Sequence, residues 1–378
     1  MMKLRWDPSM LIQGQQTSVF WKEHFSQTGR KLLFILGKGF DVRMNIALTN
    51  LLYNSPSVDM TCWMIDFEEG EESSSNKYAA QVAANYTELQ KLLGTRPLVE
   101  KQISLWSKKN QGKKQRIGDR QAAGLLTDFN QIAGFTDIII DISSLPRGVY
   151  FSLVGKFLSF IDRFAADTPP NFFIVVSENA DIDIKIKEKG IDEDIGYLHG
   201  FGGTLELASE REEPVVWFPI LGEDKLEHLE KAHVQIRPNE ICPVLPFPSK
   251  DPRRSDQLIQ TYHQLLFDRL GIEPQNLMYV PERNPFEAYI RLTKAIYNYH
   301  KSLTILGGCK AVISTFSSKL LSIGTLLSAY ELINHIGVGV LNVDSQGYEI
   351  DDYEEMKKLK DNSELFVIWL TGEPYTEN

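Results

Sequence analysis

Two stretches decide the fold: Ile139-Ile140-Asp141-Ile142-Ser143-Ser144-Leu145-Pro146-Arg147 and, far downstream, Ala311-Val312-Ile313-Ser314-Thr315-Phe316-Ser317-Ser318-Lys319. Laid over each other at a constant offset, they share one plan: a buried strand, a hydroxyl residue (Ser143 or Thr315), three residues, and a cation (Arg147 or Lys319). A long amphipathic run follows each cation. Continuous apolar runs without period-two alternation belong to strands buried on both faces, and therefore to a parallel sheet under helices. Each stretch is followed by one further apolar strand, Phe172 to Ser177 or Val338 to Val343. Each half also opens with a strand ending in Leu-Gly, at Leu36-Gly37 and Leu221-Gly222. The pattern predicts an α/β protein built of two tandem Rossmann-like units with mostly parallel sheets, arranged as a pseudo-dimer.

Outward from these stretches, residues 1–30 read as an N-terminal extension, 31–213 as the first unit and 214–350 as the second. Residues 351–378 add a charged helix and a strand. Within the first unit, the spacing predicts a helix over Tyr78 to Leu93, stopped by Gly94, and a short helix from Ala122 to Phe129. Residues 108–120 carry six basic side chains without apolar periodicity and read as a solvated loop.

Composition narrows the class. A chain of 378 residues, 43% of them hydrophobic, has ample material for a core, while no apolar stretch approaches the roughly 20 residues of a membrane span. A formal charge of −10 argues against an extended duplex nucleic acid as partner, since that binding neutralises many phosphates. A small anionic ligand in a local basic pocket is compatible with it. Cys62, Cys242 and Cys309 form no CxxC pair, and the seven histidines show no HxH or HExxH spacing. The expectation is a cytoplasmic protein with reduced thiols, no metal and no cofactor.

The turn after a parallel strand lies at the carboxyl edge of the sheet, where the next helix aims its N–H groups outward. A hydroxyl and a cation there meet the needs of a phosphate or ribose. Asp141, Ser143 and Arg147 make one such set, and Thr315, Ser317 and Lys319 the other. Gly37-Lys38-Gly39, with Asp41 and Arg43 behind it, is a glycine turn at the same edge, though neither GxGxxG nor a P-loop. Glu178 and the pair Glu282-Arg283 follow other strands and are secondary candidates. The proline-rich loop Pro246 to Arg254 brings three further cations. The plainer alternative is that Ser143 and Thr315 cap helices and the cations are solvated.

Strand, [Asp/Asn]-x-[Ser/Thr]-x-x-x-[Arg/Lys], helix, strand resembles the ligand motif of CARF domains, and two such units in one chain resemble SAVED domains. Lys310 to Asp344 is especially similar to a CARF carboxy-terminal half, although Ile313 stands where an Asp or Asn is expected. The resemblance implies a sensor of a nucleotide or cyclic oligonucleotide in prokaryotic antiviral defence, signalling to a separate protein effector, and the expected site is a cleft shared by the two halves. Two other functions remain open: an enzyme processing a nucleotide or nucleic-acid end, with Asp141, Glu178 or Glu282 as acid–base groups, and a scaffold subunit of a defence complex.

Overall fold

The computed structural model describes residues 3–68, 74–107, 115–165, 167–202, 205 and 213–376. The chain folds into two compact units. The first comprises Pro8–Gly190 and Gln346–Asn378, the second Met1–Asp7 and Ile191–Ser345.

The first unit is built on a seven-stranded sheet. Its five parallel strands are, in chain order, Lys31–Gly37 (strand one), Asp59–Glu68 (two), Leu98–Ser104 (three), Asp137–Asp141 (four) and Asn171–Glu178 (five). In space they run 3-2-1-4-5, the doubly wound order, which places a topological switch point between strands one and four. Glu364–Thr371 and then Met10–Gln13 extend the sheet antiparallel beyond strand five.

The second unit repeats this order. Strand one is Val215–Ile220, and strand two is interrupted, Glu240–Ile241 then Val244–Pro246. Strands three, four and five are Met278–Val280, Lys310–Thr315 and Val338–Asn342, all parallel. Their spatial order is again 3-2-1-4-5, with Gly196–Tyr197 antiparallel beside strand five. The tandem Rossmann-like reading is thus met at the level of topology.

The units divide elsewhere than at residue 213. The strand Gly196–Tyr197 bonds to Asn342 and Leu341, which draws the chain from Ile191 onward into the second unit. Residues 351–378 are no appendage. Their strand bonds to Asn171–Glu178 along almost its whole length and contributes Val367 and Trp369 to the first core. The leading segment is absorbed likewise, because Met10–Gln13 pairs with Phe366 to Trp369 and the helix Gln16–His24 buries Trp21. Trp6 instead packs edge-on against Tyr289 of the second unit, ring centroids 5.3 Å apart. The helix expected over Ala122 to Phe129 lies earlier, at Gly118–Gly124. Asp128 and Gln131 then form a capping box that starts a separate short turn. Of the basic stretch, Lys108, Lys109, Lys113 and Lys114 lie outside the described residues.

Continuous apolar strands are buried as their composition requires. Leu32 to Leu36, Ile138 to Ile140 and Phe172 to Phe173 are all fully inaccessible. Strand three, Leu98–Ser104, is the edge strand and is mostly exposed, so its Glu100 and Lys101 are tolerated. At the opposite, amino edge a buried polar knot holds the first unit together. Asp137 Oδ1 lies 2.7 Å from His24 Nε2 and accepts from Asn171 Nδ2 (3.0 Å) and Arg30 Nη1 (3.3 Å). Its Oδ2 accepts from the Thr136 hydroxyl (2.6 Å). Burial alone would raise the Asp137 carboxyl. The His24 and Thr136 hydrogen bonds and the His24 and Arg30 charges outweigh that and hold it below the usual carboxylate value.

Candidate functional site at the strand carboxyl edges

At the first unit's switch point, strand one ends in Gly37, and the Ser144 hydroxyl donates to its carbonyl (2.6 Å). A Cβ on Gly37 would stand 2.6 Å from Leu145 Cδ2, so the turn after strand four is folded onto the glycine. Ser143, buried, accepts from the Ser177 backbone N–H (2.9 Å), while its own N–H donates to Asp141 Oδ1 (2.9 Å). These two residues therefore tie strand four to strand five.

Asp41 grips Arg43 with both oxygens (Nε 3.0 Å, Nη2 2.8 Å), and Arg43 Nη1 reaches Asp183 (2.8 Å). Burial opposes the Arg43 charge, but Asp41 and Asp183, with Glu178 behind them, more than compensate and drive its pKa further up. Lys38 pairs with Asp66 at 2.8 Å, and Asn85 Nδ2 bonds the carbonyls of Gly39 and Asp41. Above this network Val42, Ile182 and Met356 form a small apolar cluster flanked by Ile186, Ile350 and Tyr353. Lys38 and Arg43 of the first edge are thus paired by side chains of the unit's own chain. Arg147 starts the helix Arg147–Phe164 and is half-buried.

The second edge is different. A Cβ on Gly222 would lie 2.0 Å from the Phe316 carbonyl oxygen and 3.0 Å from Ser317 Cα, so strand one and the strand-four turn cross backbone to backbone. Thr315 is buried and bonds the Ser322 hydroxyl (2.9 Å), and Ser318 caps the helix Lys319–Leu332. Between them the Ser317 hydroxyl oxygen is buried and makes no hydrogen bond among the described residues. Lys319 is the first helical residue.

Beyond Gly222, Glu223 receives Arg254 in a fork (Nε–Oε1 2.6 Å, Nη2–Oε2 2.7 Å), and Arg254 Nη1 also donates to Glu282. Burial would raise the Glu223 carboxyl, but the Arg254 hydrogen bonds and charge hold it low. Lys250, Arg253 and Arg283 border the same edge, after strands two and three. Tyr262 completes it, donating to the Gly222 carbonyl (2.5 Å) and accepting from the Lys225 N–H (2.9 Å).

The expected correspondence between the halves holds for the helix starts, not for the strands. Ile35 pairs with Ile140, whereas its counterpart Ile220 pairs with Thr315. From these paired residues the chain takes seven positions to reach Arg147 but only four to reach Lys319. Ser143 and Thr315 are therefore not equivalent. The three additional residues of the first turn carry Leu145 onto Gly37, and Phe316 and Ser317 abut Gly222 directly. Gly37, Lys38, Gly39, Asp41, Asp141, Ser143, Arg147 and Glu178 all belong to the first edge, and Thr315, Ser317, Lys319, Glu282 and Arg283 to the second. Sequence reasoning left out Glu223, Asp183 and Asn85. Glu223, directly after the Leu221-Gly222 turn, carried a readable signal, while Asp183 and Asn85 reach Arg43 and Gly39 from distant elements.

Among the described residues no helix is long and apolar enough to cross a membrane, and no group of three or more His, Cys, Asp or Glu side chains is placed to hold a metal. No protein-family model matches the sequence, and no curated protein matches it. Solved structures similar to it include a putative universal stress protein from Pseudomonas aeruginosa UCBPP-PA14, with 11% identity and TM-score 0.22, covering 88% of this chain and 98% of that one. The UDP-GlcNAc 2-epimerase from Methanocaldococcus jannaschii aligns with 10% identity and TM-score 0.22, over 92% of this chain and 96% of that one. The class defined by the topology is a tandem Rossmann-like α/β protein.

Proposed function

We propose that this protein binds a nucleotide or cyclic oligonucleotide at the carboxyl edge of the second unit and signals its presence to a separate protein effector. The observation that carries the reading is the second switch point itself. There strand one and the strand-four turn cross backbone to backbone at Gly222, which sets the Ser317 hydroxyl, buried and making no hydrogen bond among the described residues, beside the helix-starting Lys319. At the first edge Lys38 and Arg43 are paired with Asp66, Asp41 and Asp183, and the glycine turn lies under Leu145. Of the acid–base candidates, Glu282 is held by Arg254, and Asp141 Oδ1 accepts from the Ser143 backbone N–H. The setting in prokaryotic antiviral defence is carried by the sequence resemblance alone.

A melting-temperature screen against mono-, di- and cyclic oligonucleotides tests this directly. A ligand that binds the native state raises the transition by mass action. Lys319→Ala is expected to weaken that ligand by about 1.5–3 kcal/mol, the range for a charge-assisted hydrogen bond, and Arg147→Ala to leave it unchanged. Loss in Arg147→Ala with retention in Lys319→Ala would move the site to the first unit, and no response to any nucleotide would overturn the proposal.

A further inference from the structure

The second edge carries a feature that phosphate binding does not use. Phe247, directly after strand two, and Tyr279, in strand three, are 46% and 39% exposed. Single exposed aromatics are ordinary on protein surfaces, but these two touch, with ring centroids 6.1 Å apart and planes at 78°. Both are held by backbone. The Phe247 N–H donates to the Val280 carbonyl (2.7 Å), the Glu282 N–H to the Pro248 carbonyl (3.0 Å), and Arg291 Nη1 to the Tyr279 carbonyl (2.9 Å). The loop that follows is equally fixed. The Lys250 N–H donates to Glu282 Oε2 (3.2 Å), the Ser249 hydroxyl to the Asp251 carbonyl (2.6 Å), and the Arg253 N–H to Asp251 Oδ1 (2.9 Å). Lys250 and Arg253, both exposed, stand on this loop three and six residues after Phe247.

A rigid pair of exposed rings bordered by cations is the arrangement that holds unpaired bases. The base stacks on an aromatic face without regard to its identity, and the cations follow the backbone phosphates. We propose that Phe247 and Tyr279, with Lys250 and Arg253, form a base-stacking platform. The ligand of the second edge is then a single-stranded oligonucleotide, linear or cyclic, of at least two nucleotides. The sheet is wide enough for that length. In the order 3-2-1-4-5, Lys319 follows strand four and Phe247 follows strand two, with strand one between them. Two to three strand spacings separate the strand-four turn from the Phe247–Tyr279 pair, on the order of 10–14 Å. One phosphate at Lys319 and one base at the rings are therefore different parts of an extended molecule. This inference rests on the reading of the second edge as a nucleotide site.

The test uses the full-length protein and short oligoadenylates of two to six residues, linear and cyclic, the linear ones carrying a single 2-aminopurine whose fluorescence falls on stacking. Wild-type protein is expected to bind and quench the probe. Phe247→Ala and Tyr279→Ala should each weaken binding by about 5- to 150-fold, the range for losing one stacked base, and relieve the quenching. Phe247→Trp should preserve both. Lys319→Ala should weaken binding while the residual complex stays quenched, which separates the platform from the switch point. If wild-type protein binds and Lys319→Ala weakens binding, but both aromatic variants match wild type in affinity and quenching, the platform is refuted and the switch-point site survives. If wild-type protein binds none of these probes, both fall.

Discussion

Removing the charge of Asp137 perturbs the first unit at one point and in a calculable way. Four donors converge on this carboxylate at 2.6–3.3 Å: His24, Arg30, Asn171 and Thr136. The His24 and Asp137 side chains are 3% and 0% exposed, so solvent screens the pair little. Asp137→Ala strands buried donors and is expected to cost about 3–5 kcal/mol, as for any buried pair deprived of one member. Asp137→Asn keeps an acceptor at Oδ1 but loses the charge, and about 1–3 kcal/mol is expected. Because the folded carboxyl titrates below its ordinary value of about 3.9, its stabilisation is complete above that pH and is lost as pH falls through the lower, folded value. The wild-type advantage over Asp137→Asn should therefore shrink as pH falls below 4. Urea unfolding followed by tryptophan fluorescence, to which Trp21 and Trp369 of the first core contribute, reads it out. Equal stability of wild type and Asp137→Asn at pH 7, or a difference that persists unchanged at pH 3, would refute the reasoning.

Two further outcomes follow from the same geometry. Gly222→Ala should destabilise the second unit by about 1–3 kcal/mol or more, because its Cβ meets a backbone carbonyl. Gly37→Ala should cost less, because it meets the movable end of Leu145, and comparative urea melts check the order. Burial pushes the thiols of Cys62 and Cys242 up to about 12 and that of Cys309 up to about 11. A native thiol titration at pH 8 should accordingly be silent and give three equivalents only after unfolding.

The parallel cores were legible because continuous apolar strands such as Leu32 to Leu36 leave little else for a chain to do with them. The duplication was legible through Leu36-Gly37, Leu221-Gly222 and the two helix-starting cations. The register was hidden. A gapless comparison matched Ser143 to Thr315, although the first turn is three residues longer. The unit boundary was also hidden, because pairing of Glu364–Thr371 with Asn171–Glu178 joins segments almost two hundred positions apart, and local patterning carries no trace of it. For the same reason the sequence offered Asp41, Arg43 and Lys38 as groups able to meet a ligand. Their partners Asp183 and Asp66 come from other elements and only the fold brings them close.

The central claim is that ligand binding belongs to the second carboxyl edge. Amide hydrogen exchange of the full-length protein, with and without a saturating oligonucleotide identified by the melting screen, addresses it most directly. Added protection at Gly222 to Lys225, at Phe247 to Arg254 and at Phe316 to Lys319 is the predicted result. Protection confined to Lys38 to Arg43 and Ser144 to Arg147 would contradict it.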